Sequence, residues 1–225
     1  MLFYPKLIEP NGQFINEYTH STSKIVCVGR NYSAHAKELN NPIPKEPLLF
    51  IKSTNCLVDL DKPIQIPKEQ GECHHELEIS VLIGKKLTKA SREEAIDAID
   101  GIGLALDLTL REVQSKLKSK GQPWEKAKSF DSACPVSGFV NIEHFADLSN
   151  IKFCMEKNKQ ITQIGNSKNM LFDIHQLLQE ISQLFSLYPG DIVLTGTPEG
   201  VAKLDTGDKL KFILETTEIV QTVVK

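Results

Sequence analysis

The stretch that most constrains this 225-residue chain is Gly101-Ile-Gly-Leu-Ala-Leu-Asp-Leu-Thr-Leu110, an apolar run interrupted by one charge, Asp107. So apolar a run belongs in a core. An isolated carboxylate in a core must be protonated, paired or bound to a cation, because a lone buried charge is costly. Whatever fold the chain adopts must bring a partner to Asp107, or use it to cap the helix expected to open near Thr109. The two outcomes are compatible.

Short strands account for much of the rest. Residues 23–29 (SKIVCVG) and 48–52 (LLFIK) are rich in β-formers and read as buried strands. The polar stretch between them ends in Asn-Asn-Pro-Ile-Pro-Lys-Glu-Pro, whose prolines permit a loop with at most one helical turn. Residues 76–85 (ELEISVLIGK) alternate as a strand should. So do Ile151, Phe153 and Met155 before a turn at 156–159, and Leu210, Phe212 and Leu214 before Thr216-Thr217, in two hairpin-like sections. Ser91 to Glu94 is a capping box for a short helix to about Ile99. The clearest helix starts at Asp173: Ile174, Leu177, Leu178, Ile181, Leu184 and Phe185 share one face, and Tyr188-Pro189-Gly190 stops it. Residues 192–195 form a buried strand that opens into the turn Gly196–Gly200. Many short strands and few helices, without βαβ alternation, predict an α+β, mainly β fold. No linker splits the chain, so one domain is expected over 23–225, with residues 1–22 as an extension packed on it.

Glu76 and Glu78 stand on one face of their predicted strand, and Leu77, Ile79 and Val81 on the other. Alone, the pair fits an amphipathic strand with a wet polar face. With Asp107 it makes three carboxylates and no softer ligand, which match Mg²⁺ or Mn²⁺ better than zinc. Cys73-His74-His75 is the competing soft-metal candidate, but neighbours in an extended segment point to opposite faces and cannot converge on one ion. The helix after Asp107 sets Arg111 and Gln114 on a common face, and Lys128 follows. Cations near a metal can hold the remaining charge of an anionic substrate; the alternative for each is an exposed surface position. His35 and Glu38 come side by side on one helical turn, and a carboxylate beside an imidazole orients it and raises its basicity, as a general base needs. The alternative is an ordinary surface pair. Their setting between two buried strands suits a lid, mobile from about residue 31 to 47.

The net charge of −3 and the absence of a lysine stripe argue against a nucleic-acid partner, and the basic run Lys116–Lys120 reads as a solvated helix end. No apolar run approaches the roughly 20 residues that cross a bilayer, and the first ten residues lack a signal peptide's long apolar region. Five scattered cysteines without a C-x-x-C pair suit free thiols in a reducing cytoplasm.

Five motifs occur in order: Val28-Gly-Arg-Asn-Tyr32 with His35-x-x-Glu38; Glu76-Leu-Glu78; Asp107-Leu-Thr-Leu-Arg111-x-x-Gln114; Ala127-Lys128-Ser129-Phe130-Asp131-x-x-Cys-Pro-Val136; and Leu194-Thr-Gly-Thr-Pro-Glu-Gly200. Together they resemble the fumarylacetoacetate hydrolase family, in its short acylpyruvase and oxaloacetate decarboxylase branch, over about residues 23–225. The resemblance implies a β-sandwich roll with a few short helices, usually a homodimer. It implies Mg²⁺ or Mn²⁺ on Glu76, Glu78 and Asp107, and catalysis by His35, Glu38 and Lys128. Substrate contacts are expected from Arg30, Arg111, Gln114 and Thr197. Two departures stand out: larger members carry a fourth metal carboxylate where this chain has Val28, and the branch usually has aspartate where this chain has Glu112.

The expected chemistry is carbon–carbon cleavage in a small 2-oxo acid through a metal-stabilised pyruvate enolate. Acylpyruvate hydrolysis and oxaloacetate decarboxylation rank together, ahead of oxaloacetate tautomerisation or isomerase chemistry, since all share that enolate. A serine hydrolase would want G-x-S-x-G, which the sequence lacks. A P-loop would want Gly-Lys-Ser/Thr after Gly200, which is also missing. A binding module with a purely structural metal is the non-enzyme alternative, and it would have no use for the His35–Glu38 pair.

Overall fold

The computed structural model describes residues 2–38 and 43–225, with the side chains of residues 35–37 outside the description. In chain order the elements are β1 (Lys6–Ile8), β2 (Phe14–Glu17), β3 (Ile25–Gly29), α1 (Ser33–Glu38), β4 (Leu48–Lys52) and β5 (Leu57–Asp59). Then come β6 (Cys73–His75), β7 (Leu77–Ile83), α2 (Arg92–Asp97), β8 (Ile99–Leu106), β9 (Thr109–Leu110), α3 (Arg111–Ser119) and α4 (Glu125–Lys128). The remaining elements are β10 (Cys134–Val136), β11 (Phe139–Asn141), β12 (Lys152–Lys157), β13 (Gln160–Asn166), α5 (Ile174–Leu184), β14 (Ile192–Leu194), β15 (Ala202–Lys203), β16 (Lys209–Leu214) and β17 (Thr217–Val223). The expected mainly β architecture is what the chain forms.

Among the described residues the strands make three sheets. The ten-stranded one runs β2-β1-β11-β8-β7-β14-β3-β4, with β10 and β5 attached beside β8. A four-stranded antiparallel sheet runs β13-β12-β16-β17, and a small one runs β15-β6-β9. β1 carries residues of the amino-terminal stretch into the large sheet by parallel pairing with β11, and Ile8 is buried there. No helix among the described residues is long and apolar enough to cross a membrane.

Local chemistry explains the elements that the pattern predicted. Ser91 and Glu94 form the reciprocal capping box that opens α2. Asp173 caps α5 through the Gln176 amide at 2.8 Å, and Ile174, Leu177, Leu178 and Ile181 bury its apolar face. α5 ends at Leu184, and Phe185, expected on the helix face, is its carboxy-terminal cap in extended conformation. The β12–β13 turn uses Asn158 and Lys159 at φ 53° and 69°, the left-handed pair that a tight hairpin needs.

The structure decides several open alternatives and corrects others. Every residue of β7 is buried, and Glu76 just before it and Glu78 within it are 5% and 2% exposed, so the wet-face alternative for the pair falls away. Both faces of this central strand are covered, which alternation alone does not reveal. Asp107 is not inside a strand, because β8 ends at Leu106 and β9 departs to the small sheet. Nor does it cap a helix: α3 starts at Arg111 behind Leu110, with no side-chain cap. The lid reading also shifts. Asn31 is fully buried, donating to the Phe172 and Thr195 carbonyls at 3.0 and 2.8 Å and accepting from the Phe172 amide at 2.9 Å. Tyr32 is buried too, so the start of this segment is anchored, and α1 is longer than the single turn expected. Residues 39–42 of the expected lid lie outside the described residues.

Candidate metal and substrate site

Sheet register assembles the carboxylates. β7 and β8 run antiparallel with Leu77 opposite Leu106, which sets Glu76 beside Asp107 at the strand ends. The Asp107 amide donates to the Glu76 carbonyl at 2.9 Å and locks that placement. Glu78 follows one strand repeat later on the face of Glu76. One oxygen from each of Glu76, Glu78 and Asp107 lies within 4.8 Å of the others, all three side chains being buried.

Cations close in from other elements. Lys52, the last residue of β4, is fully buried and reaches Asp107 Oδ1 at 2.7 Å. The Ala133 carbonyl accepts from the same ammonium at 2.9 Å. Lys128, at the end of α4, bridges Glu76 Oε2 at 2.8 Å and Asp107 Oδ2. Arg111 at the start of α3 donates to Glu76 Oε1 and, at 2.8 Å, to Gln114 Oε1. Burial alone would lower both lysine pKa values. The carboxylates offset it, Asp107 for Lys52 and Asp107 with Glu76 for Lys128, so both ammonium groups are held above the ordinary lysine value.

Glu78 differs from its neighbours. Its Oε2 accepts from the Gly196 amide at 2.7 Å, and no lysine or arginine pairs with it among the described residues. Burial, and then the charges of Asp107 and Glu76, push its carboxyl well above the usual carboxylate range. A cation placed between the three carboxylates would reverse that. All-oxygen donors suit a hard divalent ion, and their spread is near the roughly 4 Å across an octahedral Mg²⁺ shell. The residues fit such an ion.

The turn after β14 completes the wall. Gly196 takes φ 99°, and a Cβ there would meet Asn31 Cβ at 2.7 Å, so only glycine leaves the amide free to face Glu78. Thr197 is held by Gln163 of β13, whose Nε2 donates to the threonine Oγ1 at 2.9 Å. The other end of the same amide accepts from the Leu77 backbone at 2.9 Å and contacts His75 Nδ1 at 2.8 Å. His74 pairs instead with Glu72, so the Cys73–His75 stretch is tied up in separate contacts.

The expected site residues Arg30, Glu76, Glu78, Asp107, Arg111, Gln114, Lys128 and Thr197 all line one cleft. Glu38 sits beside the same turn, its carboxylate accepting from the Gly200 amide at 3.1 Å. The imidazole of His35 lies outside the described residues. Val28, the first of the two departures seen in the sequence, also lines the cleft. Glu112 is exposed on α3.

The sequence reading missed Lys52, Gln163 and Lys118. Lys52 closes the apolar strand LLFIK, and a lysine in that setting is a signal of a buried partner. Gln163 carried no signal. Lys118 was read as part of a solvated helix end, whereas it is half-buried and lines the cleft over the Trp124 ring at 5.3 Å.

Comparison with known proteins agrees with the motifs. Residues 24–224 match the family described as fumarylacetoacetate (FAA) hydrolase C-terminal. The chain is 48% identical over 192 residues to oxaloacetate tautomerase YcgM of Escherichia coli, covering 85% of this chain and 88% of that protein. It is 43% identical over 198 residues to a mitochondrial oxaloacetate decarboxylase of Dictyostelium discoideum, covering 88% and 91%. The crystal structure of fumarylpyruvate hydrolase from Pseudomonas aeruginosa in complex with Mn²⁺ and pyruvate superposes with a TM-score of 0.88 at 26% identity, covering 98% of this chain and 96% of that one. With nearly its whole length matched in sequence and in fold, the chain is an enzyme of the fumarylacetoacetate hydrolase family.

Proposed function

We propose that this enzyme interconverts the keto and enol forms of oxaloacetate in a reaction that depends on Mg²⁺ or Mn²⁺ held by Glu76, Glu78 and Asp107. The observation that carries the reading is the buried carboxylate cluster, in which no cationic side chain among the described residues pairs with Glu78, in a cleft lined by arginine and lysine. A divalent ion there would act as a Lewis acid on the 2-oxo group and make the C3 proton easier to remove. Arg111, braced by Gln114, offers guanidinium hydrogens to a substrate carboxylate. Lys128 is pinned between Glu76 and Asp107, so its ammonium is pre-aimed and loses little on meeting a developing oxyanion. His35, with Glu38 as its partner, is the proposed base that moves the C3 proton. Thr197, fixed by Gln163, is proposed to hold the substrate's other face.

The 48% identical relative named oxaloacetate tautomerase raises tautomerisation above the rank that residue chemistry alone supported. Decarboxylation is the second reading, favoured by the 43% identical decarboxylase, because the same enolate forms when CO₂ leaves. We also propose a homodimer, and a reducing setting such as the cytoplasm suits the free cysteines.

The test follows the enol band of oxaloacetate and pyruvate release in parallel, with Mg²⁺, with Mn²⁺ and with chelator. Metal-dependent loss of the enol band faster than pyruvate appears is the expected result. Pyruvate forming as fast as enol disappears would favour decarboxylation. Equal turnover with chelator would overturn the metal reading.

A further inference from the structure

Ion pairing within the cleft leaves two cations over. Lys52, Lys128 and Arg111 are engaged by Asp107 and Glu76. Arg30 and Lys118 line the same cleft, and no carboxylate among the described residues pairs with either. The Arg30 Nε is buried without a hydrogen-bond partner. Its backbone is held at φ 59°, a left-handed conformation that an arginine adopts at a cost and that surrounding packing must enforce. Lys118 reaches the cleft from α3 with its ammonium over Trp124, and Trp124 packs on Phe50 with ring centroids 5.8 Å apart. That aromatic wall steadies a cation but does not neutralise it. Burial first, and then the charges of Arg30 and Arg111, push the Lys118 ammonium down to about 8, and the Glu76 carboxylate only partly offsets them. An anion between them relieves the crowding.

We propose that Arg30 and Lys118 form a second anion subsite that takes the substrate carboxylate farther from the 2-oxo group, and that this subsite steers a 2-oxo dicarboxylate away from loss of CO₂. It rests on the dicarboxylate substrate of the preceding section. The steering follows from charge. In decarboxylation the C3–C4 bond breaks, its electron pair stays on C3 as the enolate, and the departing carbon leaves as neutral CO₂. Two cations on that carboxylate stabilise the charge that must vanish, so the barrier rises. Tautomerisation moves only a proton and keeps the carboxylate and its pairing. Lys118 is thus a specificity-determining residue and Arg30 its partner.

Malate and lactate separate this proposal from the activity reading, since both are unreactive 2-hydroxy acids and differ chiefly in the distal carboxylate. Calorimetry on the Mn²⁺-loaded protein should show malate binding more tightly than lactate. In Lys118→Met, which keeps the stem over Trp124, malate should weaken on the order of ten-fold or more while lactate is unchanged, the scale of a lost charge-assisted hydrogen bond. Lys118→Arg should restore malate binding. With oxaloacetate, Lys118→Met should also release more pyruvate per enol consumed. Malate and lactate weakening equally in Lys118→Met, or malate not weakening at all, overturns the subsite. If oxaloacetate is not turned over yet malate discrimination depends on Lys118, the subsite stands and the activity reading falls.

Discussion

The four-stranded sheet and the strand ends of the ten-stranded sheet solve opposite problems. In β12 and β16, Phe153, Met155, Leu210, Phe212 and Leu214 turn inward and are buried, while Lys152 and Lys209 are exposed. Its ion pairs, Lys211 with Glu156 and Glu218, lie at the surface, where such pairs contribute little. At the ends of β7 and β8 the reverse holds: Glu76, Glu78, Asp107, Lys52 and Lys128 are all at most 5% exposed. Charges so deep persist only because each engaged one is matched, and because the surrounding core fixes the geometry. One sheet contributes stability through apolar burial, and the other spends part of it on holding reactive groups in place. Gln163 connects them: a polar residue of β13 only 1% exposed, it reaches from the stabilising sheet to Thr197 and Leu77 of the site.

The contrast can be broken by mutation. Asp107→Asn should lower turnover by more than about 100-fold, beyond the usual cost of losing a group that merely supports a metal ligand. The same variant should lose the rise in melting temperature that Mn²⁺ gives the parent. Retention of both would remove Asp107 from the metal set.

A sharper test uses the buried pair. Lys52→Met leaves Asp107 short of one cation and should cost about 3–5 kcal/mol in denaturant unfolding. Combined with Asp107→Asn it should cost less than the sum of the two single changes, because the double variant leaves no unmatched charge. Additive losses would show that the 2.7 Å contact carries no coupling.

Phe153→Ala examines the other side of the comparison. Its ring lies against Gly165, where a Cβ would come within 2.1 Å, so truncation opens a cavity that the backbone cannot fill. A loss of about 3–5 kcal/mol is expected, with kcat unchanged at temperatures where the variant is folded. A large fall in kcat would mean that the two regions are coupled more tightly than the Gln163 bridge implies. The smallest effect is expected from Ser91→Ala, which removes the α2 capping box far from the cleft and should cost about 1 kcal/mol without altering activity.

Much of this was legible beforehand. The caps at Ser91 and Asp173, the hairpin β12–β13 and the strands around Val26 and Phe50 were readable, and the structure places them as expected. The pairing of Glu76 and Glu78 on one face was legible, but whether that face met water or a buried site was not, because alternation reports which residues share a face and not what covers it. The expected lid segment could not begin at Asn31, because composition cannot show that Asn31 is bound to carbonyls from Phe172 and Thr195.

By itself the sequence determined the features that depend on neighbours a few positions away: strand alternation, helix caps, the i, i+2 glutamates and the apolar run that obliges Asp107 to find a partner. Only the tertiary structure decided which partner. Lys128 and Glu76 are 52 residues apart, Gln163 and Thr197 are 34 apart, and Lys52 reaches Asp107 from a different strand of the fold. Such pairings depend on sheet register and on which elements pack together. Those are set by burial of the whole core, and no local pattern encodes them.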